Sequence, residues 1–271
     1  MKPIVITLVC NKGGVGRSTT ACNVGWKLAE MGYKTLIIDL DSQSNTSITL
    51  AKNYEQQVIE AEKSLTNMLS KNDAYMAEYT INTNHPNLDI IASSYELDTT
   101  ELIVRNEPSP NTILRDRFDD YIKEEYDVII FDTPPKKTDK MLHNGLAVST
   151  HYWYVISSEA KWALDAVGMM NKTISDVCGS VNNNIKPIPT LLTMFRRRNA
   201  LSLLVKQQCE KIFDYGVMET SIRDTTEIRK ASATKKTIFE FNRRSEVAKD
   251  YKNATQELID YIGIDQTELK L

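Results

Sequence analysis

From Asn11 to Thr19 the chain reads Asn-Lys-Gly-Gly-Val-Gly-Arg-Ser-Thr, which sets glycines, two cations and adjacent hydroxyls close together. That set suits a phosphate group. Glycines let successive backbone N–H groups curl around an anion, and a helix beginning just behind them points its positive end at the same place. Asn11, Lys12, Gly13, Gly14, Val15, Gly16, Arg17, Ser18 and Thr19 are therefore the candidate nucleotide-phosphate loop. Ser18 is spaced to offer its hydroxyl to Mg²⁺, with Thr19 beside the phosphates. The usual pattern has glycine where Asn11 stands and lysine where Arg17 stands. The competing reading, a glycine-rich turn that merely joins strand to helix, leaves the serine–threonine placement and the two cations to accident.

Three carboxylates extend this chemistry. Asp39 and Asp41 follow the apolar run Thr35 to Ile38, and Asp132 follows Asp127 to Phe131. In a parallel sheet such strand ends converge on one rim, where carboxylates hold Mg²⁺ through water or orient an attacking water. For Asp132 alone, capping of the next turn is the alternative. Asp41 is the candidate for positioning water, and Ser18, Asp39 and Asp132 are the candidates on the metal side.

The elements that must position these groups are legible around them. Ile4 to Cys10 suits a fully buried strand, and Ser18 to Met31 shows helical spacing stopped by Gly32. The same alternation recurs at Leu88 to Ala92, Asp127 to Phe131, Tyr152 to Ile156 and Ile188 to Met194. Helices are expected at about residues 160 to 174, Ser202 to Phe213 and Val247 to Ile262. Between Asn53 and His85 the chain is polar and helix-prone. The fold class expected is α/β: one domain over residues 1–271, with a mostly parallel twisted sheet covered by helices on both faces.

Composition excludes several classes. With 33 Lys and Arg against 36 Asp and Glu, the net charge is −3, unlike a histone-like basic protein. No apolar run approaches a membrane span or a signal peptide. The four cysteines lack paired metal-ligand spacing, three histidines make a histidine-rich metal site unpromising, and the chain reads as cytosolic and reduced. Charge is nevertheless segregated. From Thr193 to Asp250 there are 13 Lys and Arg against 8 Asp and Glu, including Arg196, Arg197, Arg198, Arg223, Lys235, Lys236, Arg243 and Arg244. These eight form the candidate DNA-binding surface, although a solvated charge run is the plainer reading of such residues by themselves. Phe195, Phe239 and Phe241 flank them as expected core anchors.

Together, Lys12 to Thr20, Asp39-Leu40-Asp41-Ser42-Gln43-Ser44-Asn45 and Tyr126 to Pro135 make the sequence resemble the ParA/MinD family of P-loop ATPases with a deviant Walker A motif. Glu219 to Arg223, Ala231 and Tyr251 match more weakly. The resemblance is nearest to ParA-type partition proteins. It implies that Lys12 is a signature lysine reaching across an ATP-sandwiched homodimer to the partner's phosphates. It implies that Arg17 stands for the loop lysine on the β and γ phosphates, that Ser18 ligates Mg²⁺, that Asp132 supports it through water, and that Asp41 positions the hydrolytic water. It further implies ATP and Mg²⁺ as cofactors, nonspecific DNA and a ParB-like or other activating adaptor as partners, and a cytoplasmic, nucleoid-associated location.

The departures qualify those expectations. A planar guanidinium at Arg17 does not replace a compact ammonium conservatively, so slow hydrolysis is expected. A nucleotide-controlled regulator or scaffold with little ATPase activity is accordingly the alternative. Ser42 and Ser44 replace the family's proline and glycine. The segment before the first strand is too short for a separate operator-binding domain. Glu257, Asp260, Asp265 and Glu268 argue against a basic amphipathic membrane anchor, and Cys178 does not suffice for a shared iron–sulfur cluster. No small-molecule signature supports a metabolic kinase or synthetase.

Overall fold

The apolar strands predicted for burial on both faces are buried on both faces. In β1 (Ile4–Val9), β2 (Thr35–Asp39) and β5 (Val128–Asp132), successive side chains enter opposite cores, following the two-residue period of a strand. Ile6, Ile37 and Ile130 face the cluster that contains Val24, Leu28, Tyr251 and Leu258. Val5, Leu36, Ile38, Ile129 and Phe131 face a second cluster containing Leu65, Met68, Leu114 and Ile122. Continuous apolar strands of this kind require cover on both sides of a parallel sheet.

The computed structural model describes residues 2–10, 12–71, 73–98, 104, 109–135, 140–159, 171–172, 174–180 and 182–264. In chain order the named elements begin β1, α1 (Arg17–Glu30), β2, α2 (Asn45–Leu50), α3 (Leu65–Leu69), β3 (Thr80–Asn82) and β4 (Leu88–Ile91). They continue with α4 (Ile113–Arg117), α5 (Asp120–Glu125), β5, α6 (Lys140–Val148), β6 (His151–Ser157) and β7 (Lys186–Thr193). The chain closes with α7 (Ala200–Ile212), α8 (Thr226–Ala233), α9 (Ile238–Asn242) and α10 (Glu246–Ile262). The helix expected at about residues 160 to 174 falls largely outside the described residues.

The strands form one seven-stranded sheet in the order β3-β4-β2-β5-β1-β6-β7, parallel except for the β3–β4 pair. The antiparallel edge β3 was not anticipated from the sequence. β1 lies between β5 and β6, and β2 lies on the other side of β5. Leu8 and Asp39 are both in register with Asp132, so the end of β1 and two carboxylate-bearing strand ends meet on one rim.

β7 begins two residues earlier than its apolar run suggests and includes Pro187 and Pro189. It is an edge strand, a setting in which missing N–H donors are tolerated. The closing helix is as expected: Val247, Tyr251, Ala254 and Leu258 are buried, and Ile262 packs against the same core from its margin. Phe239 is buried and Phe195 partly so, but Phe241 is 37% exposed and anchors no core.

Candidate phosphate-binding site

The loop after β1 turns tightly into α1 through two left-handed glycines. Gly14 and Gly16 have φ of 77° and 84°, left-handed values that glycine adopts at little cost. Gly16 is also the N-cap residue of α1 and supplies no side-chain cap, and the first turn of α1 contains no acid. Six other helices carry a side-chain cap, with Ser64, Asp119, Asn199, Thr225, Thr237 and Ser245 each accepting from a first-turn N–H, whereas the short α2 and α4 also begin without one. The start of a 14-residue helix is thus left to an outside anion, assisted by the helix dipole.

The loop and the strand that leads into it are each tied by a threonine hydroxyl. Thr193 at the end of β7 donates from Oγ1 to the Val15 carbonyl at 2.6 Å, and Thr133 donates to the Leu8 carbonyl at 2.7 Å. Lys12, Gly13 and Gly14 are exposed, Val15 is buried, and Ser18 and Thr19 are half-buried. Asn11 lies outside the described residues. Together with Asp41, the loop lines a cavity of about 350 Å³, whose lining also includes Ser232, Lys235 and Lys236.

Arg17 borders that cavity, but its guanidinium is engaged by carboxylates of the strand ends. Its side chain is 6% exposed and turned toward the sheet. Nε donates to Asp132 Oδ1 at 2.7 Å, Nη2 to Asp41 Oδ2 at 2.8 Å, and Nη1 to the Cys10 sulfur at 2.8 Å. Burial works against the guanidinium charge, but the Asp132 carboxylate beside it, aided by Asp41, more than reverses this and raises its pKa further. A lysine has no planar fork with which to reproduce the arrangement. Cys10, expected as a strand end, lies just beyond β1; burial pushes its thiol up, making it a neutral acceptor rather than a nucleophile.

Asp132 is fully buried, and its second oxygen accepts from Thr46 Oγ1 at 2.7 Å. Asp41 Oδ1 accepts from the Gln43 N–H at 3.0 Å, and burial raises its carboxyl above the usual range despite that bond and Arg17. Asp39 is placed differently from the other two. Its Oδ1 accepts from the Asp41 N–H at 3.1 Å, and its Oδ2 from the Ser47 N–H at 2.9 Å and hydroxyl at 2.7 Å. Burial, then the Asp132 charge, pushes it up to about 8. Asp39 holds the β2–α2 loop in shape. Ser44, at the family's glycine position, takes φ 53°, so the backbone keeps a left-handed conformation there with a side chain present.

Thr46, Ser47 and Thr193 were not anticipated from the sequence. The only hint was the run of hydroxyl residues from Ser42 to Thr49, too common a composition to assign roles. Among the described residues no group of three or more His, Cys, Asp or Glu is arranged around a metal position. The hard oxygen donors near the loop, Ser18 and the two carboxylates Asp41 and Asp132, suit Mg²⁺, which binds through few protein ligands with water and phosphate completing its shell.

The basic residues divide into two groups. Arg196 pairs with Asp224 at 2.6 Å and Glu159 at 3.0 Å, Arg223 with Asp250 at 2.6 Å, and Arg243 with Glu30 at 2.6 Å. Arg197 and Arg223 line a second cavity apart from the loop, and Arg197, Arg198 and Arg244 are exposed. Lys235 and Lys236 lie instead on the wall of the loop cavity.

Residues 3–187 match the protein family described as "AAA domain". The chain is 26% identical to the chromosome partitioning protein ParA of Caulobacter vibrioides over 94% of this chain and 93% of that protein. Its fold is similar to a putative plasmid partition protein of Borrelia burgdorferi bound to AMPPNP, with TM-score 0.79, 24% identity, and 96% and 100% of the two chains covered. It is similar too to a structure described as cobyrinic acid a,c-diamide synthase of Mycobacterium smegmatis with an ATP analogue and magnesium, with TM-score 0.80, 21% identity and 96% of each chain covered. The two structures establish the fold, and the family match over more than half of the chain, with the ordered motifs around the uncapped helix, establishes the lineage. This chain belongs to the ParA/MinD family of deviant Walker A P-loop ATPases, related to the plasmid and chromosome partition ATPases.

Proposed function

We propose that the chain is a partition ATPase that binds Mg²⁺–ATP at the Lys12–Thr19 loop, pairs with a second copy across the nucleotide, and in that state binds DNA without sequence preference. The observation that carries this reading is the uncapped start of α1 behind a glycine loop, with Asp41 and Asp132 on the adjoining rim. In this reading Ser18 ligates Mg²⁺, Asp132 supports it through water, and Asp41 orients the hydrolytic water. Lys12, at the exposed mouth, reaches the partner's phosphates. The metal supplies charge neutralisation of the phosphates. The chain's own N–H groups, held by Gly14, Gly16 and the Thr193 tie, supply the cradle. An adaptor protein then stimulates hydrolysis and releases DNA, which positions a plasmid, chromosome or other cargo.

Light scattering with Mg²⁺–ATP tests the pairing. The wild-type chain is expected to double its mass with ATP but not without nucleotide, and Lys12→Ala to remain at the smaller mass while still binding ATP. A mass indifferent to ATP would contradict the reading.

A second reading has its own observation. Arg17 is held by both carboxylates that hydrolysis requires. A chain that uses ATP to control pairing, and turns it over slowly, fits that arrangement. Phosphate release in the presence of ATP, DNA and a candidate ParB-like adaptor separates the two. Strong stimulation supports the partition ATPase; turnover unmoved by either addition supports the regulator.

A further inference from the structure

Lys235 and Lys236 differ in placement from the other cations of the C-terminal third. Arg196, Arg223, Arg229 and Arg243 each face a carboxylate. Among the described residues, Lys235 and Lys236 take part in no ion pair, as is also true of Arg197, Arg198, Lys230 and Arg244, but these two line the cavity that the phosphate loop also lines.

Their backbone is also fixed there. Lys235 has φ 55°, a left-handed value that a side-chain-bearing residue rarely adopts, and such outliers gather at binding sites. On one side, the N–H groups of Lys235 and Lys236 donate to the Ser232 and Ala231 carbonyls, closing the end of α8. On the other, Thr237 and Glu240 form a reciprocal cap on α9. The Ile238 N–H then donates to Asn23 Oδ1 at 2.7 Å, which ties this turn to α1, the helix that begins at the loop. Two lysines therefore border the cavity from a turn anchored to the phosphate-binding helix itself.

We infer that Lys235 and Lys236 form a cationic wall of the nucleotide cavity and contact the phosphate chain of the bound triphosphate. They belong to nucleotide recognition rather than to the DNA surface. This rests on the Mg²⁺–ATP reading above and extends it to residues that no phosphate-loop motif includes. An ammonium can meet phosphate oxygens wherever its stem reaches, whereas the base and ribose offer no formal negative charge.

The test is calorimetric titration of ATP and of adenosine, with Mg²⁺, into the full chain and into a Lys235→Gly, Lys236→Gln double variant. Glycine accepts the left-handed backbone at position 235, so the turn is kept, and an unchanged melting temperature checks this. ATP affinity is expected to fall by about tenfold, the scale of one charge-assisted hydrogen bond, while adenosine affinity changes less than about twofold. DNA affinity at saturating ATP is expected to stay unchanged. Equal ATP affinity in the two proteins would overturn the inference, as would an equal loss for adenosine. So would lost DNA affinity with ATP affinity intact, which places the lysines on the DNA surface. If the wild-type chain itself bound no ATP, the underlying nucleotide reading would fall along with this one.

Discussion

The two charged regions of this protein are built in opposite ways. At the phosphate loop, Arg17, Asp132 and Asp41 are withdrawn from water and joined by bonds of 2.7 to 2.8 Å. On the C-terminal surface, Arg196 and Arg229 share Asp224 at similar distances, but both arginines are more than half exposed. The distances alone suggest equivalence, and burial separates the two. A buried charge must keep its partner because nothing else solvates it, whereas an exposed one exchanges a carboxylate for water or phosphate at little cost. The loop cluster therefore fixes geometry, and the surface cluster remains available to a polyanion.

The largest expected effect that would break this contrast is at Arg17. Arg17→Ala leaves Asp132 buried and short of a partner, at a cost of about 3–5 kcal/mol, read as a loss on the order of 10 °C in melting temperature. Arg17→Lys should fall between the two, since charge survives without the fork. A melting temperature unchanged in Arg17→Ala would mean the cluster is not structural. Next comes Thr46→Val, which removes the second donor to Asp132 while keeping shape. A loss of about 1–3 kcal/mol is expected in urea unfolding, and a neutral result would imply that water replaces the hydroxyl.

A smaller effect concerns pH. The native Asp39 carboxyl is raised from 3.8 to about 8, so the folded chain binds this proton more tightly than the unfolded chain between those values. Its contribution to stability therefore falls as pH rises through that window. Urea unfolding at pH 5 and pH 8 should show the wild type losing more stability than Asp39→Asn. A steeper loss in the variant would reverse the sign. The smallest effect is at Arg196: Arg196→Ala should leave the urea midpoint unchanged, and a clear loss would show that the surface pair is not exchangeable.

How much of this could be read from the sequence follows the same division. Strands β1, β2 and β5 were legible because burial on both faces demands continuous apolar runs, and each carboxylate at their ends follows directly from the run before it. The phosphate loop was legible because glycine, cation and hydroxyl occur at fixed spacing. The three-residue strand β3 has too few side chains to show a period, and the prolines of β7 conceal the first two residues of a strand that was otherwise expected. The inward turn of Arg17 depends on Asp41 and Asp132, distant in the chain by 24 and 115 residues, and no local pattern carries it. Thr46 and Ser47 gain their roles in the same way. Basic residues were visible as a charge excess, but which of them face carboxylates and which face a cavity is a property of the folded surface.

The central claim is that nucleotide at the loop controls the basic surface. Its most direct test is titration of a random-sequence DNA duplex with the full chain, with Mg²⁺–ATP and without nucleotide, at low and moderate salt. Strong binding only with ATP, falling steeply as salt rises, is the predicted result. Equal affinity with and without ATP would contradict it.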